Sequence, residues 1–143
     1  MSTPKKVKKT NILQEVMCIV ISAKQEILAT MDLSEELEKP LPAEYFSLID
    51  EKMKEGVVVK RLAFGTNADF ETFNNKNDIR SENYKCVLTT SKDYRRMLLI
   101  DQKYLFFAKE TGNGRSFFST TEKKSIKEFL DYFSREFQKE RKQ

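Results

Sequence analysis

Apolar residues recur at helical spacing at Ile12, Leu13, Val16, Met17, Val20 and Ala23, which predicts a first helix. Asn11 and Gln14 stand at capping-box separation at its expected start. Residues 26–33 read as a strand anchored by Ile27, Leu28 and Met31. Pro40 and Pro42 break the pattern, and Pro42 suits the first turn of a second helix, where a missing N–H does no harm. Tyr45, Leu48, Ile49 and Met53 give that helix an apolar stripe, and Gly56 is placed to close it in a left-handed conformation. Val57, Val58 and Val59 then open a β-branched strand running to about Phe64. Helix, glycine and Val-rich strand in that order are the pattern of a crossover returning to a sheet. Residues 65–79 are polar and Asn-rich, interrupted by Phe70 and Phe73, and are expected to form a mobile excursion with room for one short helix.

The second half is dense in strand signals. Residues 84–90, 94–101, 103–109 and 115–121 are rich in β-branched or aromatic side chains, and Gly112-Asn113-Gly114 is a turn signal between the last two. A long closing helix carries Ile126, Phe129, Leu130, Phe133 and Phe137 on one face, read as core packing. Ser119 and Glu122 have capping-box spacing before it, and residues 138–143 read as its solvated end. The order of elements indicates an α/β fold, a mixed β-sheet flanked by helices.

Composition sharpens this picture in three ways. The 143 residues suit one domain over 11–143, preceded by a disordered basic tail over 1–10. The net charge of +4 comes from Lys5, Lys6, Lys8 and Lys9; setting these aside leaves the body balanced. Nucleic-acid binding is therefore expected, if anywhere, through the tail rather than through a basic surface of the fold. Cys18 and Cys86 lie among apolar neighbours and read as buried free thiols, which fits a reducing, cytoplasmic compartment. No apolar run approaches the roughly 18 residues that would span a bilayer.

Candidate chemistry is limited mainly by what is missing. The chain has no histidine and only four glycines, so a P-loop or a dinucleotide fingerprint cannot be built. Two separated cysteines and scattered carboxylates give no metal-ligand spacing, and no metal or cofactor is expected. Against that background the run Tyr94-Arg95-Arg96-Met97-Leu98-Leu99-Ile100-Asp101 stands out. It is followed by Gln102-Lys103 and the apolar stretch Tyr104-Leu105-Phe106-Phe107.

This run resembles the H-x-K-x-x-x-x-D signature of the phospholipase D superfamily. Tyr94 stands where the histidine belongs, Arg96 where the lysine belongs, and Asp101 is retained. Gly56-Val57-Val58-Val59-Lys60 is similar to the start of that family's second strand, and Lys103 to its Gly-Lys turn after the aspartate. Ala108, Lys109 and Thr111 replace the Gly, Ser and Asn of its next element. The resemblance implies a single phospholipase D-like half-domain over residues 12–137.

In that family the histidine attacks phosphorus, a route closed to a chain without imidazole. The resemblance therefore implies a non-catalytic binding or regulatory module for a phosphate-bearing ligand, held by Tyr94, Arg95, Arg96, Asp101 and Lys109. A guanidinium at position 96 keeps a planar donor fork suited to phosphate. The family assembles its site from two motifs and this chain carries one, so a homodimer is expected. Some degenerate members are effector domains behind a winged helix, but about ten residues precede the fold here, so a regulatory role would need a separate partner. Three alternatives stay open. Arg96 and Asp101 could be ordinary surface or interface residues of a strand pair; Tyr94 could be the unorthodox nucleophile of a phosphodiesterase or nuclease; and the Lys tail could bind nucleic acid.

Overall fold

The computed structural model describes residues 4–77, 79–112 and 114–141. Its elements are β1 (Lys5–Val7), a 3-10 turn (Lys9–Asn11), α1 (Ile12–Ile21), β2 (Glu26–Asp32), α2 (Leu33–Glu38), α3 (Ala43–Lys54) and β3 (Val58–Phe64). Then come α4 (Asn67–Lys76), β4 (Tyr84–Thr89), β5 (Met97–Ile100), β6 (Tyr104–Thr111), β7 (Gly114–Thr120) and α5 (Lys123–Arg141). The strands form one mixed sheet in the order β1-β7-β6-β5-β2-β3-β4. β2, β3 and β4 are parallel, joined by crossovers through α2/α3 and through α4, whereas β5, β6, β7 and β1 pair antiparallel. The expected α/β class and mixed sheet are borne out.

Strand alternation divides the interior between two layers. Ile27, Ala29, Val59, Leu98, Ile100 and Phe106 point to the face covered by α1 and α3, where Val20, Tyr45, Ile49 and Met53 meet them. Leu28, Leu62, Leu99, Leu105 and Phe107 point to the other face, covered by the Ile126, Phe129, Phe133 and Phe137 stripe of α5. Burying each of those phenyl rings contributes about 2 kcal/mol. Gly56 closes α3 at φ +100°, the conformation expected of it. Among the described residues no helix is long and apolar enough to cross a membrane.

Several expectations need correction. Lys5–Val7 is not a disordered tail: it pairs antiparallel with β7, Val7 is buried, and Lys5 and Lys6 remain exposed. Lysines on an edge strand are a usual guard against further strand pairing, and they disguise it as a tail. Residues 1–3 lie outside the described residues. α1 starts after the 3-10 turn, with no side-chain hydrogen bond from Asn11. Ser119 is paired inside β7; the turn into α5 is made instead by Glu122 N–H donating to Thr120 Oγ1 at 3.0 Å.

The expected excursion at 65–79 is largely the ten-residue α4. Thr66 caps it by accepting from the Asp69 N–H at 3.1 Å, and Phe70 and Phe73 pack on Met31, Leu33 and Ala63. Asp78 in that stretch, Asn113 of the Gly-Asn-Gly turn, and residues 142–143 lie outside the described residues. Cys18 is exposed on α1 rather than buried; Cys86 is half-buried, and both thiols are free.

Candidate functional site

Residues 94–96 do not belong to β5, which begins at Met97. They form the last part of the loop from β4, stitched to the body by two hydroxyl groups. Tyr132 Oη, on α5, donates to the Asp93 carbonyl at 2.7 Å and accepts from the Arg95 N–H at 3.0 Å. Thr30 Oγ1, on β2, donates to the Arg95 carbonyl at 2.6 Å and accepts from the Met97 N–H at 3.0 Å. These bonds replace the missing ladder and aim alternate side chains. Burial pushes the Tyr132 phenol up to about 12, so it stays a proton donor.

The segment lies where β2 and β6 end and β5 and β7 begin, beside a cleft of about 700 Å³. Tyr94, Arg95, Arg96 and Lys109 all line it, as does Arg115. Asp32, Glu110 and Glu128 supply three acids against these four cations. Arg96 Nη1 reaches Glu35 Oε1 at 2.7 Å, and Arg115 Nη1 reaches the same oxygen at 2.9 Å. Arg115 also bonds Glu110 through Nε at 3.2 Å. Partial burial opposes ionisation of Glu35, but the two guanidiniums outweigh it and hold its carboxyl below the usual range.

Arg95 sits over the Tyr132 ring, its guanidinium carbon 4.6 Å from the centroid, and bonds both oxygens of Asp93 at 3.3 Å. Lys109 Nζ hangs over the Phe107 ring at 5.8 Å and forms no ion pair among the described residues. Tyr94 packs edge-on against Phe64 at 5.1 Å, and its buried hydroxyl has no hydrogen-bond partner. Burial pushes that phenol above its ordinary value, reinforced by Glu35 and Asp32 and opposed by Arg96. Such a hydroxyl is held to its protonated form and is hydrogen-bonded to no base among the described residues.

Asp101 is not in this group. It follows β5, so about five residues of extended chain, roughly 16 Å, separate it from Arg96. There its carboxylate accepts the N–H groups of Lys24, Gln25 and Glu26 at 2.9, 2.8 and 2.8 Å, tying the start of β2 to the β5–β6 turn. Asp101 and Gln102 have φ of +52° and +55°, so Gln102, standing where the resemblance has glycine, adopts the conformation that favours glycine. Partial burial opposes ionisation of Asp101, but the three N–H donors and Lys103 win and hold its carboxyl below the ordinary range.

A lowered folded-state pKa gives stability that is full above the unfolded value near 3.9 and is lost as pH falls through the lower folded value. Asp101→Asn should therefore cost about 1 kcal/mol at pH 7, with solvent replacing part of the lost bonding. The difference from wild type should vanish in urea melts repeated below that range. A gap that persists in acid would show that the carboxylate charge is not what holds the turn.

Glu35 and Arg115 were not among the sequence candidates. Asp32 and Glu35 do have capping-box spacing, and Asp32 caps α2 by accepting from the Ser34 N–H at 3.1 Å, a signal the strand reading of residues 26–33 passes over. Nothing in the sequence marked Arg115, which reaches the cleft through the pairing of β7 with β6. Among the described residues no group of His, Cys, Asp and Glu could hold a metal ion.

No family model matches the chain, and no curated protein does. Solved structures do match its shape. TrmBL2, an archaeal chromatin protein with a novel mode of DNA binding, superposes with a TM-score of 0.67 at 16% identity, over 97% of this chain and 53% of that one. NucT from Helicobacter pylori gives 0.66 at 12% identity, over 95% and 94% of the two chains. Phosphatidylserine synthase from Haemophilus influenzae gives 0.63 at 8% identity, over 96% and 38%. The fold is phospholipase D-like. The chain thus spans about half the length of TrmBL2, and less of the synthase. In this phospholipase D-like frame, residues 94–96 line the cleft while Asp101 braces the opposite end of the strand.

Proposed function

We propose that this chain is a non-catalytic, phospholipase D-like binding module of the cytoplasm, dimeric, that holds a phosphate-bearing ligand or partner in the cleft at Arg96. The observation that carries the reading is the convergence of two guanidiniums, Arg96 and Arg115, on one carboxylate oxygen at 2.7 and 2.9 Å. That is the donor geometry a phosphate oxygen needs. Arg95 and Lys109 line the same cleft and add charge at its wall. Catalysis is disfavoured because the Tyr94 hydroxyl is buried, is hydrogen-bonded to no base among the described residues and replaces the histidine of the motif. The DNA binding of TrmBL2 fits a phosphodiester as one form of the ligand. A single motif per chain supports a dimer, whose mass by light scattering should be twice 16.8 kDa.

Titration with inorganic pyrophosphate, followed by amide NMR, tests the site. Shifts should concentrate at residues 94–96, 109 and 115, and Arg96→Gln with Arg115→Gln should weaken binding at least about tenfold. Turnover of a chromogenic phosphodiester that Tyr94→Phe abolishes would reverse the reading. A second reading rests on the exposed Lys5 and Lys6 of β1, which could track a nucleic-acid backbone. If it holds, replacing Lys5, Lys6, Lys8 and Lys9 by Gln would flatten the salt dependence of DNA binding by about 0.9 for each phosphate those lysines neutralise, leaving pyrophosphate binding intact.

A further inference from the structure

Beneath α1 and α3, two cavities of about 420 and 330 Å³, both partly open to solvent, lie on the sheet face opposite α5. Ala29, Tyr45 and Arg61 line both, so the spaces adjoin along one wall. Arg61 is only 7% exposed and rises from the middle of β3. Its guanidinium lies 5.4 Å from the Phe73 ring and 6.0 Å from that of Phe46, and it forms no ion pair among the described residues.

A buried cation without a partner is costly, and buried polar atoms are rarely left unbonded. Both conditions occur together here. Among the described residues four buried side-chain oxygens lack a hydrogen-bond partner, and three of them, on Glu36, Tyr84 and Tyr94, belong to residues lining these cavities. The Tyr84 hydroxyl lies beside Arg61 without a well-formed hydrogen bond. Glu36 also acts on Arg61 without an ion pair to it, and burial pushes its carboxyl above its ordinary value. Ile27, Ile49, Met53 and Val59 supply apolar walls.

We propose that these cavities form one binding site for a small apolar carboxylic acid, its carboxylate on Arg61 and its hydrocarbon body against Ile49 and Met53. The combined volume suits a ligand of that size. Asp50 and Arg80 also line the larger cavity and their charges offset each other, so Arg61 leaves one positive charge for a monoanion to neutralise. Asp32, Tyr94 and Arg96 line both the smaller cavity and the anion cleft, so the two adjoin, but the contacts assigned here are those at Arg61, Ile49 and Met53 and do not depend on the reading given to the cleft.

Calorimetric titration of the full chain with hexanoate, octanoate and decanoate, beside 1-octanol, decides the matter. At least one acid should bind below about 1 mM, and octanol at least about tenfold more weakly than octanoate. Arg61→Met should erase that preference while leaving octanol binding in place, and Arg61→Lys should keep part of it. Amide shifts should fall on α3 and β3. Equal binding of acid and alcohol, shifts confined to residues 94–96 and 109, or no acid bound at all would each overturn the proposal. If Arg61→Met does not fold, the acid-to-alcohol ratio and shift map of the unaltered protein still separate these outcomes.

Discussion

Thr30→Val should lower the unfolding free energy by about 3 kcal/mol although it changes almost no volume. The loss comes from the backbone that the hydroxyl serves. Without Oγ1, the Arg95 carbonyl and the buried Met97 N–H both lose their partner, and each unsatisfied group costs about 1–3 kcal/mol. For a chain of this length the melting temperature should fall by about 8 °C, which calorimetry resolves easily. Tyr132→Phe attacks the same segment from the α5 side, removing the partners of Asp93 O and Arg95 N, and should cost about 2 kcal/mol. Because the two hydroxyls hold opposite ends of residue 95, the double variant should fall short of the sum of the singles by at least about 0.5 kcal/mol. A Thr30→Val melt within error of the wild type would mean that residues 94–96 are placed by side-chain packing instead, and the account of how Arg96 is aimed would fail.

The contrast between what the chain announces and what it conceals follows the physics of each element. α1, α3 and α5 were legible because each buries a stripe repeated over several turns. β3 was legible because three consecutive valines follow a helix-closing glycine. β1 was hidden because two of its three residues are exposed lysines, and only pairing with β7 makes it a strand. α2 was hidden because six residues with one fully buried side chain, Leu33, carry almost no periodicity. The same gap hid Glu35, since a side chain brought in by an unforeseen helix has no place in a motif search.

Asp101 shows the complementary failure. A motif states how many residues separate two groups but not that a whole strand lies between them. Tyr94 and Arg96 face the cleft while Asp101 ties down a turn at the other end. The spacing is kept, yet its members do separate jobs.

Glu35→Gln should tighten sulfate binding by about tenfold, the gain expected when an anion no longer competes for two guanidinium donors. In the unaltered chain Glu35 Oε1 occupies the point where Arg96 and Arg115 converge, so any incoming anion must displace it or share it. All three side chains are about one-third exposed at 32%, so solvent screens the pairs and the variant should lose no more than about 1 kcal/mol of stability. Sulfate keeps its charge across the acid range, which isolates the protein's own titration. Because the folded Glu35 carboxyl is held below its ordinary pKa, it competes at full strength at neutral pH and stops only as pH falls through that lowered value. Sulfate affinity of the unaltered chain should therefore climb in acid towards that of Glu35→Gln, closing the gap between the two. Arg96→Gln should weaken binding at every pH. If Glu35→Gln bound sulfate no better than the unaltered chain, the two arginines would be a structural clamp on α2, and the anion site would have to be sought elsewhere along the cleft.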